Sequence, residues 1–177
     1  MMQYRRARTA GGTFFFTVNL AERHLTLLTD HIDLLRNVVK QTQIKHPFKI
    51  DAMVILPEHL HAIWTLPPKD SDFSNRWRII KSNFSRELPK VERINPARKK
   101  KSERGIWQRR FWEHQIRDEF DYQQHMNYVY YNPVKHGYVD SVKDWAYSSF
   151  HRDVEKELYS RDWGSGMELQ FSAGEAR

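Results

Sequence analysis

An α+β fold, with one antiparallel sheet and helices packed on one face, is predicted by three observations. Short β-rich runs alternate with longer helical patterns. Two of the runs are separated by only two residues, as in an antiparallel hairpin. The remaining connections carry the helices, in the order strand, helix, strand, strand, helix, then strand and helix. That order suits a ferredoxin-like sandwich.

Each element follows from local composition. Gly11-Gly12 precede Thr13 to Leu20, a run rich in aromatic and β-branched residues that reads as a buried strand. Asp30 is placed to cap a helix running to about Lys45, with Ile32, Leu35, Val38, Val39 and Thr42 on one face and Pro47 beyond its end. Lys49 to Leu56 and His59 to Leu66 form the hairpin across Pro57-Glu58. A second helix spans about Asp72 to Leu88, its stripe being Phe73, Trp77, Ile80, Phe84 and Leu88. Residues 89–105 contain two prolines and a four-residue basic run, and read as a flexible basic loop. A short extended piece, Gly105 to Phe111, follows. Asp118 then caps a third helix that ends at about Tyr131, before Asn132-Pro133. Residues 1–150 read as a single domain and 151–177 as a C-terminal tail.

Composition narrows the function. With 177 residues and 40% hydrophobic content, the chain can bury one substantial core. It shows no membrane-spanning stretch and no signal-peptide pattern, so no membrane partner is expected. Cysteine is absent, which excludes disulfides and thiolate zinc sites and fits a cytoplasmic protein. The net charge is +7, and residues 73–110 hold 13 of the 29 Lys/Arg but 3 of the 22 Asp/Glu. The rest of the chain is therefore slightly acidic. Phe73, Trp77, Phe84, Trp107, Phe111 and Trp112 are interleaved with that basic segment. Cations that neutralise phosphates beside rings that stack on bases point to nucleic acid, single strands in particular. Candidate contacts are Arg76, Arg78 and Lys81 on the second helix, Lys99, Lys100 and Lys101 in the loop, and Trp107, Gln108, Arg109, Arg110, Phe111 and Trp112 after it.

Two further groups could carry chemistry. His59 and His61 alternate with Leu60, so both rings emerge on one face of their strand. They can share a divalent cation, or be ordinary sheet-surface histidines. Tyr128 and Asn132 lie one helical turn apart, on a polar stripe that Asp121 and His125 continue. Tyr122, Met126 and Val129 form the neighbouring apolar stripe that should meet the sheet. The polar stripe sets Tyr128 apart from Tyr122, Tyr130 and Tyr131.

The phrases LPEHLHAIWTLP, IWQRRFWEH and NYVYYNPVKHGYV, in this order, resemble the REP-associated tyrosine transposases, a branch of the single-tyrosine HUH transposases. The resemblance extends to GGTFFFTVNL and DWAYSSFHRDV, hence over nearly the whole chain. It implies the ferredoxin-like fold, a metal-binding pair in His59 and His61, and a nucleophile in Tyr128. Asn132 falls where relatives place a polar third ligand, often glutamine. The implied activity is cutting and rejoining of single-stranded DNA hairpins of the REP type through a covalent 5′-phosphotyrosine, with Mg²⁺ or Mn²⁺ as cofactor. The resemblance also implies a monomer, acting on nucleoid DNA in the cytoplasm. Two other classes fit the residues: a non-catalytic protein that binds structured single strands, and a metal-dependent hydrolytic nuclease in which tyrosine plays no covalent part.

Overall fold

The computed structural model describes residues 8–171 apart from Val91. Its sheet has four strands, β1 (Thr13–Asn19), β2 (Lys49–Ile55), β3 (His59–Thr65) and β4 (Trp112–Gln115), in the spatial order β2-β3-β1-β4. Every neighbouring pair is antiparallel. This is the expected α+β sandwich. Its fourth strand begins where the extended piece was expected to end: Phe14 to Thr17 of β1 pair with Trp112 to Gln115. The preceding segment makes a single bridge, Trp107 to Leu20.

Two helices of the sandwich, α2 (Ile32–Lys45) and α3 (Phe73–Glu87), pack on one face. A four-residue helix, α1 (Leu27–Asp30), precedes α2. The helical stretch therefore starts earlier than Asp30, whose carboxylate accepts from Thr26 Oγ1 at 2.6 Å instead of capping α2. Asp72 caps α3 as expected of such a residue, its carboxylate accepting from the Asn75 N–H at 3.0 Å. Strand alternation sends Phe14, Phe16, Leu60, Ala62 and Trp64 into the core between sheet and helices, with Leu35, Val38, Trp77, Ile80 and Phe84 opposite. Trp64 and Trp77 stack with ring centroids 4.1 Å apart. Burying each such side chain stabilises the fold by about 1.5–3 kcal/mol.

Helices on one face alone were expected, but the opposite face is covered too, because the strands turn a second apolar row, Phe15, Val54 and Ile63, to that side. Helix α5 (Glu119–Lys135) lays Met126, Val129 and Tyr130 over Phe15, Val54 and Ile63, and α6 (Phe150–Glu155) adds Phe150. A register shift between Ile50 and Ala52 makes Asp51 the extra residue of a bulge in β2. Asp51 accepts from Thr65 Oγ1 at 2.6 Å and pairs with Lys49 at 2.6 Å. The outer edge of β2 is closed by the segment before α6. Ile55 N–H donates to Tyr147 and Ser149 N–H to Met53, at 2.9 and 2.8 Å. Arg152 donates to the carbonyls of Ile50 and Asp51.

The stretch 89–105 contains a short helix, α4 (Pro96–Lys100), capped by the Asn95 side chain. Arg104 fastens this segment to the end of α3: it pairs with Glu92 and donates to the carbonyls of Ser85, Leu88 and Pro89. Among the described residues no helix is long and apolar enough to cross a membrane.

Candidate active site and DNA-facing surface

His59 and His61 lie on the face of β3 that meets α5, and both are fully buried. Each ring is fixed through Nδ1. His59 Nδ1 donates to Glu58 Oε1 at 2.9 Å, and His61 Nδ1 is 2.8 Å from Thr17 Oγ1 on the adjacent strand. An imidazole held at Nδ1 offers Nε2 to a ligand, and a carboxylate behind it raises its basicity. Glu58 is itself bonded to the Tyr138 hydroxyl at 3.2 Å. Burial alone would raise the Glu58 carboxyl, but the bond and charge of His59, the backbone N–H and Tyr138 together hold it below the usual range.

Helix α5 runs over the pair in register. The Tyr128 ring sits 5.2 Å from His61, and His136, just past the end of α5, sits 5.1 Å from His59. Asn132 is one turn from each of these two residues and is fully buried. Among the described residues nothing hydrogen-bonds to Nε2 of His59 or to either carboxamide atom of Asn132. Buried polar atoms left in this way call for a partner. Two imidazole nitrogens and an amide oxygen on facing walls fit a divalent cation.

A second cluster could also hold a metal. His114, Asp121 and His125 bring donor atoms within 4.8 Å of one another. These atoms are already satisfied among themselves. His114 Nε2 donates to Asp121 Oδ2 at 2.8 Å, His125 Nδ1 to the Asp121 carbonyl at 2.8 Å, and the Arg117 N–H to Asp121 Oδ2 at 3.0 Å. Burial would raise the Asp121 carboxyl, but the bonds from His114 and the Arg117 N–H and the charge of His114 outweigh it and bring it down to about 2. The cluster stands as a hydrogen-bonded buttress between β4 and the first turns of α5, and burial holds His125 below its usual range. The His59, His61 and Asn132 set is the better candidate for a metal.

The tyrosines of α5 meet different surroundings. Tyr122 donates towards Asp51 and Tyr130 to Asp153; burial and these carboxylates push both phenols upward. Tyr131 donates to the Met167 carbonyl at 2.5 Å. Tyr128 instead receives a bond from Lys135 Nζ at 3.2 Å. Its ring is boxed by Phe15, His61 and Phe171, the last reaching it from the C-terminal segment at 5.5 Å. Neither Lys135 nor Glu58 was among the residues singled out from the sequence.

The basic segment builds a separate feature. A groove of about 780 Å³ lies between α3 and residues 102–111, with Arg78, Lys81, Arg86, Arg98 and Arg109 on its walls and Trp107 and Phe111 in its lining. Lys81 Nζ donates to the Gln108 carbonyl at 2.6 Å, tying the 106–111 segment to α3. Gln108 N–H donates to the carbonyl of Asn19, the cross-strand partner of His59; the α3 wall of the groove lies on the sheet face opposite the two histidine rings. Arg109 and Arg110 are exposed, as are Lys99 to Lys101 on and after α4. Trp112 is partly exposed on β4, level with Thr17 and His61. Trp107 is buried against Phe84, and Phe111 packs on Phe16 and Phe73.

Arg76 corrects the sequence reading. It is 3% exposed and spends its guanidinium on Asp70 and on the carbonyls of His46, Pro47 and Asp72. It fastens α3 to the α2–β2 turn and leaves no donor facing solvent for a phosphate.

Comparison with known proteins decides the family. The chain is 49% identical over 175 residues to the REP-associated tyrosine transposase of Escherichia coli (strain K12), covering 99% of this chain and 98% of that one. The chain belongs to the REP-associated tyrosine transposases. A Haemophilus influenzae relative bearing the same family name is 50% identical over 172 residues, covering 97% of this chain and 98% of its own. Among solved structures, a REP-associated tyrosine transposase bound to a REP hairpin superimposes with a TM-score of 0.83 at 48% identity, covering 99% of this chain and 98% of that chain. No protein-family model matches the chain. In this member of the family His59 and His61 lie on β3 and Tyr128 and Asn132 on α5, the two facing walls described above.

Proposed function

We propose that this transposase binds single-stranded DNA hairpins of the REP type and cuts and rejoins them, with Tyr128 as the nucleophile. The observation that carries the reading is the placement of the Tyr128 ring 5.2 Å from His61, on the same helix face as Asn132. The proposed nucleophile and three potential metal donors are thereby all buried on the facing sides of β3 and α5.

Mg²⁺ or Mn²⁺, held by Nε2 of His59, Nε2 of His61 and the Asn132 amide oxygen, would draw charge from the scissile phosphate and so favour attack. The protein's own groups do the rest. Glu58 and Thr17 keep the two imidazoles oriented. Phe15 and Phe171 exclude water from the tyrosine ring, which disfavours hydrolysis of a phosphorylated side chain. The Tyr128 oxygen bonds to phosphorus and the 3′ oxygen departs, so the energy of the broken phosphodiester is kept as a 5′-phosphotyrosine for rejoining. The groove lined by Arg78, Lys81 and Arg109, with Lys99 to Lys101 beyond it, supplies phosphate contacts, and Trp112 offers an exposed ring for a base beside the histidines.

The test is incubation of a 5′-labelled and a 3′-labelled hairpin strand with the protein and Mn²⁺. The reading expects a denaturation-resistant adduct carrying the label 3′ of the cut, and none with Tyr128→Phe. Binding without cleavage would make the protein a DNA-binding module. Cleavage that persists in Tyr128→Phe would make it a hydrolytic nuclease.

A further inference from the structure

Asn132-Pro133 is a sequence at which a helix is expected to stop, yet α5 continues through it to Lys135. Pro133 lacks an N–H, so the helix forgoes one internal bond there; the proline is buried, which offsets part of that loss. The consequence is positional. Residues 128, 132 and 135 are spaced by one and two turns, so Lys135 joins Tyr128 and Asn132 on one face. Its Nζ lies 3.2 Å from the Tyr128 hydroxyl and 4.7 Å from the ring centroid. Lys135 is exposed while Tyr128 is 1% exposed, so a cation at the solvent side reaches down onto a buried hydroxyl. Tyr122 and Tyr130 face carboxylates instead, which oppose negative charge on their oxygens.

We propose that Lys135 is a catalytic residue of the strand-transfer reaction, its ammonium group stabilising the negative charge that develops on the Tyr128 oxygen. The inference rests on Tyr128 being the nucleophile and deepens that reading. In cleavage, the Tyr128 oxygen forms a bond to phosphorus and the bond from phosphorus to the 3′ oxygen breaks. The phenolic proton passes to solvent and the 3′ oxygen takes one from solvent. In rejoining, a 3′-hydroxyl oxygen attacks phosphorus and gives its proton to solvent. The bond to Tyr128 breaks with its electron pair left on the phenolic oxygen, where the Nζ–H of Lys135 meets it. The oxygen then regains a proton from solvent. The lysine therefore acts in both directions, most strongly where tyrosine is the leaving group. One donor aimed at a developing oxyanion in a closed site is worth about 10²–10³ in rate, and the exposure of Lys135 reduces this to roughly 10–100-fold.

The experiment compares Lys135→Met, which keeps the stem without charge, and Lys135→Arg, which keeps the charge. Three quantities are measured with a labelled hairpin strand and Mn²⁺: the dissociation constant, the single-turnover rate of adduct formation, and the rate at which isolated adduct is resealed by a strand ending in a 3′-hydroxyl. The expected result for Lys135→Met is hairpin affinity within about twofold of wild type, adduct formation slowed ~10-fold and resealing slowed more, towards ~100-fold. Lys135→Arg should recover most of both rates. Wild-type rates in Lys135→Met would overturn the assignment, as would a loss of affinity that accounts for the whole loss of rate. Failure of the wild-type protein to form any tyrosine adduct would overturn the nucleophile reading itself and this inference with it. The two failures are told apart by the wild-type lane.

Discussion

Replacing Arg76 by Met separates structure from DNA contact within the basic segment. Arg76 makes five hydrogen bonds: Nε to the His46 carbonyl at 3.2 Å, Nη1 to Asp72 O at 2.8 Å and Asp70 Oδ1 at 3.2 Å, and Nη2 to Pro47 O at 2.7 Å and Asp70 Oδ2 at 2.6 Å. The Asp70 side chain is 33% exposed, so water can take over part of its solvation once the guanidinium is gone. Breaking a fully buried pair costs about 3–5 kcal/mol, and this partial exposure brings the estimate to roughly 2–4 kcal/mol. Methionine keeps an unbranched stem beside Phe48, over which the guanidinium carbon sits at 5.9 Å. The assay is urea unfolding followed by tryptophan fluorescence, beside hairpin affinity measured where the variant is fully folded. Arg76→Met should lose the stated stability and keep affinity within about twofold of wild type. Arg78→Met, on the groove wall and exposed, should do the reverse, with stability changed by less than about 0.5 kcal/mol. A tenfold weaker affinity of Arg76→Met at unchanged stability would refute the placement of Arg76 in the fold rather than at the DNA.

Three further outcomes follow from the same geometry. Asp121 titrates at about 2 in the folded protein, below its unfolded value, so its stabilisation is present above about pH 4 and is lost as pH falls from there towards 2. Asp121→Asn should remove about 1–2 kcal/mol at pH 7 and flatten that part of the acid-unfolding curve; an unchanged acid limb would contradict the buttress. Glu58→Gln should weaken Mn²⁺ binding by about 10–100-fold, read by calorimetry, with hairpin affinity retained; equal metal affinity would remove Glu58 from the orientation of His59. Neutralising Lys99, Lys100 and Lys101 together should weaken binding to all hairpins alike and lower the salt slope by about 2–3, whereas a loss confined to one sequence would make them base readers.

Much of the fold was legible because hydrophobic period and turn chemistry agreed. The aromatic and β-branched run Thr13 to Leu20, the alternation around His59 and His61, and the two-residue connection between the hairpin strands were sufficient for the central strands. The bulge at Asp51 was not, since a single unpaired residue leaves the composition of a strand unchanged. The fourth strand lies at Trp112 to Gln115 because it must pair with Phe14 to Thr17, a long-range constraint that local aromatic content cannot express. The closing of the β2 edge by residues 147–149 is equally non-local.

For the site, alternation put His59 and His61 on one face and helical spacing put Tyr128 beside Asn132, and both relations hold. Their meeting across sheet and helix was beyond any local pattern. Lys135 was hidden by the Asn-Pro step, which ordinarily ends a helix. Arg76 reads as a phosphate contact because it is basic among aromatics, and only its burial places it in the fold. Trp107 and Phe111 stand between the two cases, facing the groove while packing on Phe84 and Phe73.

The central claim is that Tyr128, and no other tyrosine of α5, takes the phosphate. Protease digestion of the hairpin adduct after nuclease trimming, followed by mass spectrometry, reads the modified residue directly. The account predicts a 5′-linked nucleotide on Tyr128 in the peptide that also contains Tyr130 and Tyr131. A nucleotide on either neighbour, or cleaved DNA with every tyrosine unmodified, would contradict it.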